Sequence, residues 1–591
     1  MTPHNRFGAA LAGLAALSVT GCRQESEPSN PAPAERALAD RVEEESYAVA
    51  PAATPEEKHP DQPENLDSGG SLKLPFLRAS RQACASPCAV MFSIDAITDS
   101  SNDNPYALSG SHWDYGDPGA DGREGPYTRG ARASRSKTGP TRQSDTNTPL
   151  GMHVYRCETG VCTFHPGVSV QNEAGDWATA WSTVTVRAAD TAFPQVRTVC
   201  VSSSQSWGGD VPCPADATRV RALPKLGKWR SDTRYLLRRG ERFESEQSCI
   251  GYGRHDIQIS SFGPASAPKP ELSRLAIGRE SSCRNAVANN RQIANYGPGF
   301  WNENITLSDL RVQAIELGMT FKDVTLLDLD MDFERNAAGG SVMTVATDRC
   351  TKDDALSCER IPLPQGLYIA GSKLIGSRTG PPKYNVGMLR TTCASFVGLL
   401  DSELRIAMGH NMRLECSSRV LALHSSINGH HLGQPGQGKV APRHALTVRS
   451  DGSLDRDMLA QQRRPSSDPS NVFESRYTAV KDVYFGDPSS MNHAARVTIT
   501  PSKGSEPVVT RMAVISESVV DLAGGSGDGP ATFDAHLSGQ GLVCYDDNRW
   551  QAPKGCGDKG RGAIPEGRYS PAGVDVKAPT VPDPPASYTG G

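Results

Sequence analysis

Three aspartates alternate with apolar residues in one segment of the sequence. Asp328, Asp330 and Asp332 are separated by Leu329 and Met331. Because side chains of an extended strand alternate between its two faces, the three carboxylates would share one face and the apolar residues the other. Such carboxylates could flank a glycosidic bond as acid and base, or bind calcium through oxygen ligands. A solvated acidic face without chemistry is the alternative interpretation.

Histidines and arginines are concentrated in a second segment. It contains His424 and His444, with Arg443 and Arg449 beside the latter. Cleavage of a uronic-acid polymer by β-elimination needs a cation to neutralise the carboxylate and a base to remove a proton. If coils of about 24 residues stack His424 near residues 444–449, either histidine could be the base and either arginine the cation. Structural or surface histidines are the alternative, and no regular zinc-ligand spacing is present.

The composition limits which elements can position these residues. The chain has 591 residues, with 57 glycines and 43 prolines, and a formal net charge of −4. So many helix-breaking residues disfavour a helical bundle. The sequence contains no apolar run of about 20 residues, which disfavours a multispan membrane protein. The small net charge does not predict nucleic-acid binding. A β-rich, loop-rich chain remains.

The N-terminal sequence indicates export. An apolar stretch ends in Val19-Thr20-Gly21-Cys22, which resembles the lipobox of bacterial lipoproteins. The resemblance implies that residues 1–22 are a signal peptide and that Cys22 carries the lipid. The arginine that follows favours the outer membrane in that family. Residues 23–72 are rich in Pro, Ala and Glu and predict a disordered tether, and residues 576–591 a disordered tail.

The remaining cysteines agree with an oxidising compartment. There are 15 in the chain, so 14 are left for pairing when Cys22 is lipidated. Pairing each with its nearest neighbour is the simplest scheme, although the sequence cannot fix it. The seven pairs would be Cys84–Cys88, Cys157–Cys162, Cys200–Cys213, Cys249–Cys283, Cys350–Cys358, Cys393–Cys416 and Cys544–Cys556.

Residues 73–190 carry a set of ordered landmarks. They are Trp-Asp-Tyr-Gly-Asp at 113–117, His-Val-Tyr at 153–155, an Asn-x-x-Gly ending at Gly175, and Thr-Val-Thr-Val at 183–186. In this order they resemble the PKD domain, an immunoglobulin-like β-sandwich. The resemblance implies a domain that acts as a spacer or as a weak binder of carbohydrate or protein, and we expect a spacer.

Residues 196–575 contain short apolar strands, several at intervals of roughly 20–28 residues, separated by polar turns, a pattern typical of a solenoid with one coil per repeat. Residues 257–263 with 269–272 resemble an early coil of the pectate-lyase-like superfamily, and residues 443–449 resemble later coils of bacterial surface β-helix proteins that also carry PKD domains. The resemblance implies a right-handed parallel β-helix. The superfamily includes lyases, hydrolases, epimerases and non-catalytic adhesins, so the fold alone does not decide the activity.

The sequence therefore predicts an all-β chain, in which an Ig-like β-sandwich is followed by a right-handed parallel β-helix. We expect an exported protein, anchored in the outer membrane through Cys22 and facing a polysaccharide, with no nucleic-acid partner. The leading hypothesis is cleavage of an acidic polysaccharide by β-elimination. A non-catalytic binder or adhesin, and a hydrolase that uses the three aspartates, are the alternatives. No cofactor is required, although calcium could bind.

Overall fold

The structure, a computed structural model, describes residues 64–101, 108–117, 144–278, 302–332, 343–344, 365–376 and 387–430 apart from short gaps, and beyond these the strands between residues 443 and 550. The described residues are almost entirely β-structure, with one short helix, α1 (Ala189–Ala192), and one 3₁₀ turn, Gln195–Arg197. No helix among them is long and apolar enough to cross a membrane.

The N-terminal part is built mainly from antiparallel strands. They are β1 (Leu72–Lys73), β2 (Arg78–Ala79), β3 (Ala83–Ala85), β4 (Cys88–Ser93), β5 (Thr98–Asp99), β6 (Leu108–Asp114), β7 (Ser144–Thr146), β8 (Leu150–Tyr155), β9 (Val161–Phe164), β10 (Gly167–Asn172), β11 (Trp177–Trp181) and β12 (Val184–Arg187). The sheets have the orders β11-β10-β6-β7, β2-β4-β8, β3-β12-β9 and β1-β5. We call this part the antiparallel module.

The antiparallel module has its own apolar core. Trp113, Tyr115 and Tyr155 are among its fully buried side chains. The antiparallel module begins before residue 73, the predicted start of this domain. The amide of Ser68 donates to the carbonyl oxygen of Trp177, and the side chain of Asp176 accepts from the backbone amide of Ser71. Residues 64–72, expected to belong to the tether, therefore include positions that bond to β11 and its turn.

The rest of the described chain forms parallel strands. They are β13 (Thr198–Val201), β14 (Thr218–Val220), β15 (Thr233–Arg238), β16 (Arg242–Phe243), β17 (Cys249–Ile250), β18 (His255–Phe262), β19 (Glu271–Leu272), β20 (Leu275–Ile277), β21 (Asn302–Ser308), β22 (Arg311–Val312), β23 (Ile315–Leu317), β24 (Phe321–Leu327), β25 (Asp330–Asp332), β26 (Met343–Thr344), β27 (Gln365–Ala370), β28 (Lys373–Ile375), β29 (Gly387–Thr392), β30 (Ser395–Leu400), β31 (Glu403–Ala407), β32 (His410–Glu415), β33 (Ser418–Leu423), β34 (Ser426–His430), β35 (Arg443–Asp451), β36 (Thr478–Lys481), β37 (Tyr484–Gly486), β38 (Met491–Thr500), β39 (Ala513–Ser516), β40 (Val519–Val520), β41 (Phe533–Leu537), β42 (Leu542–Cys544) and β43 (Arg549–Trp550).

These strands stack into three parallel sheets, and most coils contribute one strand to each. The first sheet has twelve strands and runs from β14 at one edge, through β13 and β15, to β42 at the other edge. The second sheet has ten strands and runs from β16 to β43. The third runs in two segments, β17-β20-β23 and β26 to β41. This is the topology of a parallel β-helix. Its core is a stack of aliphatic residues such as Leu307, Leu326 and Ile369, which follow one another in register.

From β21 to β34, each corner between the first and second sheets has two residues, and the first of them has a positive φ. Asp309, Asp328, Gly371, Asp401 and His424 occupy this position, with φ between 44° and 56°. Their amides stitch neighbouring coils, since Asp328 N–H donates to the carbonyl of Ala370 at 2.9 Å. Gly and Asp tolerate the left-handed region better than most residues, so the polar corners are a consequence of backbone geometry.

Three of the seven predicted disulfides lie within the described residues, and all three are confirmed. They join Cys84 to Cys88, Cys157 to Cys162 and Cys200 to Cys213. The other four pairs each contain a residue outside the described part of the chain.

The antiparallel module packs directly on the outward face of the first sheet. In β4, Val90 and Phe92 face the module's own core, whereas Ala89 and Met91 join a second apolar cluster. This interface cluster consists of Ala89, Met91, Leu150, Met152, Val154, Leu327, Tyr368, Ala370, Phe396, Leu400, Leu421, Leu423 and Ala479. The module is thus joined to the β-helix by a continuous apolar contact.

A buried arginine fixes this contact. Arg81, 8% exposed, donates from Nε and Nη2 to the carbonyl oxygen of Ala89, at 2.9 and 2.6 Å, and from Nη2 to Thr325 Oγ1 at 2.9 Å. Its guanidinium lies 4.9 Å from the ring centroid of Tyr368, whose hydroxyl donates to Asp323 at 2.6 Å. Polar groups buried with this many partners orient two packed surfaces as well as holding them.

Candidate functional site

The outward face of the second sheet carries a row of charged residues. Each of these residues is the register partner of the next one on the neighbouring strand, across six successive coils. We call this row the charge ladder; it consists of Arg242, Glu271, Arg311, Asp330, Lys373 and Glu403. Each is followed by a buried apolar residue of the same strand, for example Leu272 after Glu271. Alternation along the strand therefore turns the ladder outward.

Five of the six ladder residues, all except Glu403, form the floor of an open groove of about 580 Å³. The walls come from the loops around residues 240–242 and 268–271. Its charged lining consists of four cations, Arg242, Lys269, Arg311 and Lys373, and three carboxylates, Glu241, Glu271 and Asp330. The groove crosses the strands, so it follows the long axis of the solenoid. Its shape and polar lining suit an extended, charged polymer better than a compact apolar ligand.

Lys269 organises one side of this groove. It follows β18 in a proline-rich loop, between Pro268 and Pro270. Its ammonium group donates to the backbone carbonyl oxygen of Asp328 at 2.8 Å and to the Asp328 carboxylate at 2.9 Å. It also lies 3.6 Å from Oδ2 of Asp330. One cation thus sits between two of the aspartates that the sequence had singled out.

The ion pairs along the ladder itself are longer. Arg242 Nε is 3.8 Å from Glu271 Oε1, and Lys373 Nζ is 4.0 Å from Glu403 Oε2. Glu271 and Glu403 also have closer partners outside the ladder. Gln313 donates to Glu271 at 2.7 Å, and Arg405 Nε lies 3.2 Å from Glu403. Both distances are longer than that of a hydrogen-bonded ion pair, and the two cations are 52% and 33% exposed, so these two contacts contribute little free energy.

Glu241 at the rim of the groove is held differently. Burial alone would raise the pKa of this carboxyl, but hydrogen bonds from Ser202, Ser203 and Ser204 outweigh burial and lower it. These serines belong to the first turn after β13. Glu241 therefore joins the corner between β15 and β16 to the turn after β13 and stays ionised.

The structure places the three predicted aspartates as follows. Asp328 is exposed at the corner after β24, and Asp330 begins β25 and lies in the ladder. The predicted single strand is therefore interrupted by a turn at Asp328, whose φ is 52°. Leu329 and Met331 enter the core as expected. The side chain of Asp332 lies outside the described residues.

The expected stacking of His424 on residues 444–449 is wrong. His424 occupies the corner between β33 and β34 and is fully buried. Arg443, His444 and Arg449 lie on β35, the third-sheet strand of the same coil, and their side chains lie outside the described part. The residues are thus on different faces of one coil rather than on neighbouring coils. The estimate failed because an insertion separates β34 from β35.

Sequence reasoning missed the cations of the groove, Arg242, Lys269, Arg311 and Lys373. A signal was nevertheless present, because each of the first six strands of the second sheet, β16 to β31, begins with a charged residue followed by an apolar one. The pairs read Arg242-Phe243, Glu271-Leu272, Arg311-Val312, Asp330-Met331, Lys373-Leu374 and Glu403-Leu404. Their irregular spacing, caused by insertions between coils, concealed the alternation of sign.

One group of three potential metal ligands stands among the described residues, away from the groove. Asp232, His255 and Asp256 bring ligand atoms within 4.8 Å of one another. Each already has neighbours, since Nδ1 of His255 lies 3.0 Å from Asp256, Asn304 donates to Asp256 at 3.2 Å, and Arg197 lies 3.8 Å from Asp232. These contacts account for the group as a polar network at the edge of the first sheet.

Comparison with known proteins adds little. No protein-family model matches the chain, and no curated protein matches it. Two solved structures are similar, both A-modules of mannuronan C-5 epimerases from Azotobacter vinelandii. The AlgE6 module is 9% identical, with 57% of this chain and 89% of that one covered and a TM-score of 0.25. The AlgE4 module is 9% identical, with 55% and 88% covered and a TM-score of 0.24. At such TM-scores the likeness carries no argument about activity.

Proposed function

We propose that this chain is an exported polysaccharide-binding protein, and that its β-helix holds an acidic polysaccharide in the groove on the second sheet. The observation that carries the proposal is the charge ladder together with Lys269. It offers four cations along one open groove that runs over stacked coils.

The choice of this face follows from what covers the others. The antiparallel module buries the outward face of the first sheet over several coils, from Leu327 on β24 to Ala479 on β36. A polymer cannot bind there without displacing an apolar interface. The second sheet keeps its outward face open over the coils from β16 to β28, where the groove lies, and cations at regular intervals on it suit a chain of repeated anionic groups.

The proposal also covers the cellular location of the protein, the fold class of the antiparallel module and the handedness of the β-helix. A signal peptide over residues 1–22 and a lipid on Cys22 would tether the β-helix to the outer membrane, where polysaccharides are at hand. The antiparallel module would be Ig-like, as its Trp113 and His153 landmarks suggest. The coils would be right-handed, which is the strongly preferred sense for parallel crossovers.

Binding is supported better than cleavage. The β-elimination hypothesis needs a base in contact with the polymer, and His424 is buried; a role for His444, Arg443 and Arg449 on the third sheet stays a prediction. A hydrolase that uses Asp328, Asp330 and Asp332 also stays a prediction, since Lys269 occupies the space between the first two carboxylates. A calcium ion held by them would have to displace that ammonium group.

Retention of the full-length, detergent-solubilised protein on immobilised polysaccharides tests the proposal. We expect retention on acidic polymers that weakens as salt is raised, because surface ionic contacts are screened, and no retention on neutral polymers. Ultraviolet absorbance of unsaturated uronates and the appearance of reducing ends are followed in parallel. No retention on any acidic polymer would refute the binding function, and absorbance rising with reducing ends would replace it with a lyase.

A further inference from the structure

The charge ladder alternates in sign at every coil. Arginine or lysine occupies the first, third and fifth positions, and glutamate or aspartate the second, fourth and sixth. From this alternation we propose that the preferred polysaccharide alternates anionic and neutral sugars, with one negative charge in each disaccharide. This inference rests on the proposed function and specifies its ligand.

The spacing of the coils sets the spacing of the cations. Neighbouring strands of a sheet lie about 4.8 Å apart. Arg242, Arg311 and Lys373 stand on alternate coils, so their attachment points repeat at about 10 Å along the groove. Two sugars of an extended chain cover a comparable length. A polymer with one anion in each disaccharide therefore presents its charges in step with the three cations.

The intervening carboxylates discriminate against a polymer that is charged at every sugar. Glu271 and Asp330 lie between the cations and also line the groove. A second anion in each disaccharide would face one of them, and like charges brought together reject a wrong ligand. A neutral sugar at the same place offers hydroxyl groups, which can donate hydrogen bonds to these carboxylates.

The contacts of the carboxylates permit this role. Gln313 holds Glu271 at 2.7 Å, and Lys269 lies beside Asp330 at 3.6 Å. Glu271 and Asp330 therefore each keep a polar partner when a ladder cation binds a ligand anion, so ligand binding leaves neither carboxylate unpaired.

Three polymers of matched length test the inference with the full-length protein. Hyaluronan alternates a uronate with a neutral amino sugar, polygalacturonate carries a carboxylate on every sugar, and dextran is neutral. We expect hyaluronan to bind about tenfold more tightly than polygalacturonate at equal salt, and dextran not to bind. Polygalacturonate binding as tightly as hyaluronan, or more tightly, overturns the inference but leaves the proposed function standing. Failure of both acidic polymers to bind overturns both.

Variants separate specific discrimination from general charge. Glu271→Gln combined with Asp330→Asn removes the two repelling carboxylates, and we expect the hyaluronan preference to fall about tenfold. Asp190→Asn is the matched control, because Asp190 is 84% exposed and lies outside the groove; it should leave the preference unchanged. Circular dichroism establishes that each variant is folded. A folded double variant with the wild-type preference would refute the role of the intervening carboxylates.

Discussion

Lys269 Nζ lies 2.9 Å from Oδ1 of Asp328, a residue 59 positions further along the chain. The same nitrogen donates to the carbonyl oxygen of Asp328 at 2.8 Å. The contact joins the proline-rich loop after β18 to a corner two coils further on. It thereby fixes one wall of the groove against the floor of the second sheet.

Replacing Lys269 by methionine should reduce affinity for an acidic polysaccharide about tenfold, which corresponds to about 1.4 kcal/mol. The groove loses one of its four cations, and the wall loses its attachment. Stability should fall by about 1 kcal/mol or less, because the Asp328 side chain is 54% exposed and such pairs are weak. Affinity electrophoresis and urea denaturation measure the two effects. Lys322→Met is the control, since Lys322 pairs with Glu303 away from the groove; an equal loss of affinity in both variants would contradict the assignment.

Replacing Arg81 by methionine should destabilise the protein by about 2–4 kcal/mol. The change strands the buried carbonyl oxygen of Ala89 and removes the guanidinium that faces Asp323 and Tyr368. Urea denaturation gives the difference in unfolding free energy. Arg78→Met serves as the matched control, because Arg78 lies over the partly exposed ring of Phe76, and it should cost about 1 kcal/mol or less. Similar costs at both positions would count against a fixed interface.

Replacing Gly398 by alanine should also loosen this interface. A Cβ atom at residue 398 would lie 2.5 Å from Sδ of Met152 and 2.8 Å from Sδ of Met91. Methionine side chains can shift, so we expect a cost of about 1–3 kcal/mol rather than loss of the fold. At Gly208 a Cβ atom meets nothing within 4 Å, and Gly208→Ala should leave the unfolding free energy nearly unchanged. Equal thermal midpoints for the two variants would refute close packing at Gly398.

Asp323 should give the stability a pH dependence of definite sign. Burial raises the pKa of this carboxyl above its ordinary value of 3.8, outweighing the opposing effects of Arg81 and of the hydrogen bond from Tyr368. The folded state therefore holds the proton more tightly than the unfolded state. The contribution of Asp323 to the unfolding free energy is therefore present in full below pH 3.8, and it is lost as the pH rises through the pKa of this carboxyl in the folded state.

The unfolding free energy of the wild type, relative to Asp323→Asn, should thus decrease from pH 3.8 to neutrality. Urea denaturation of both proteins across this interval measures the difference. The same measurement on Asp190→Asn, which replaces an exposed carboxylate elsewhere in the chain, is the control. A difference that stays constant or grows with pH would contradict a raised pKa at Asp323.

The solenoid could be predicted from the sequence because its determinants are local and repetitive. Short apolar strands and polar corners indicated one coil per repeat, and the three described disulfides join cysteines close in sequence. The outward placement of Asp328 and Asp330 also followed from alternation, although the turn at Asp328 did not. A left-handed corner is hard to anticipate where residues as different as aspartate, glycine and histidine occupy it.

The interface between the module and the first sheet was harder to predict, because it joins residues far apart in sequence. One sign was visible in β4, where Ala89, Val90, Met91 and Phe92 are all apolar. Such a run indicates a strand that is buried on both faces. The sequence did not show that the second partner is the outward face of the β-helix. The groove was missed for a related reason, since insertions hide which charged residues stack.

The most direct test of the account is the affinity of a variant in which Arg242, Arg311 and Lys373 are all replaced by glutamine. Binding of the full-length protein to hyaluronan is measured by isothermal titration calorimetry at low salt, with circular dichroism as the check on folding. We predict that the folded variant binds about a hundredfold more weakly than the wild type, since each surface cation contributes about 1 kcal/mol or somewhat less. A folded variant that binds as tightly as the wild type would show that the ligand lies elsewhere.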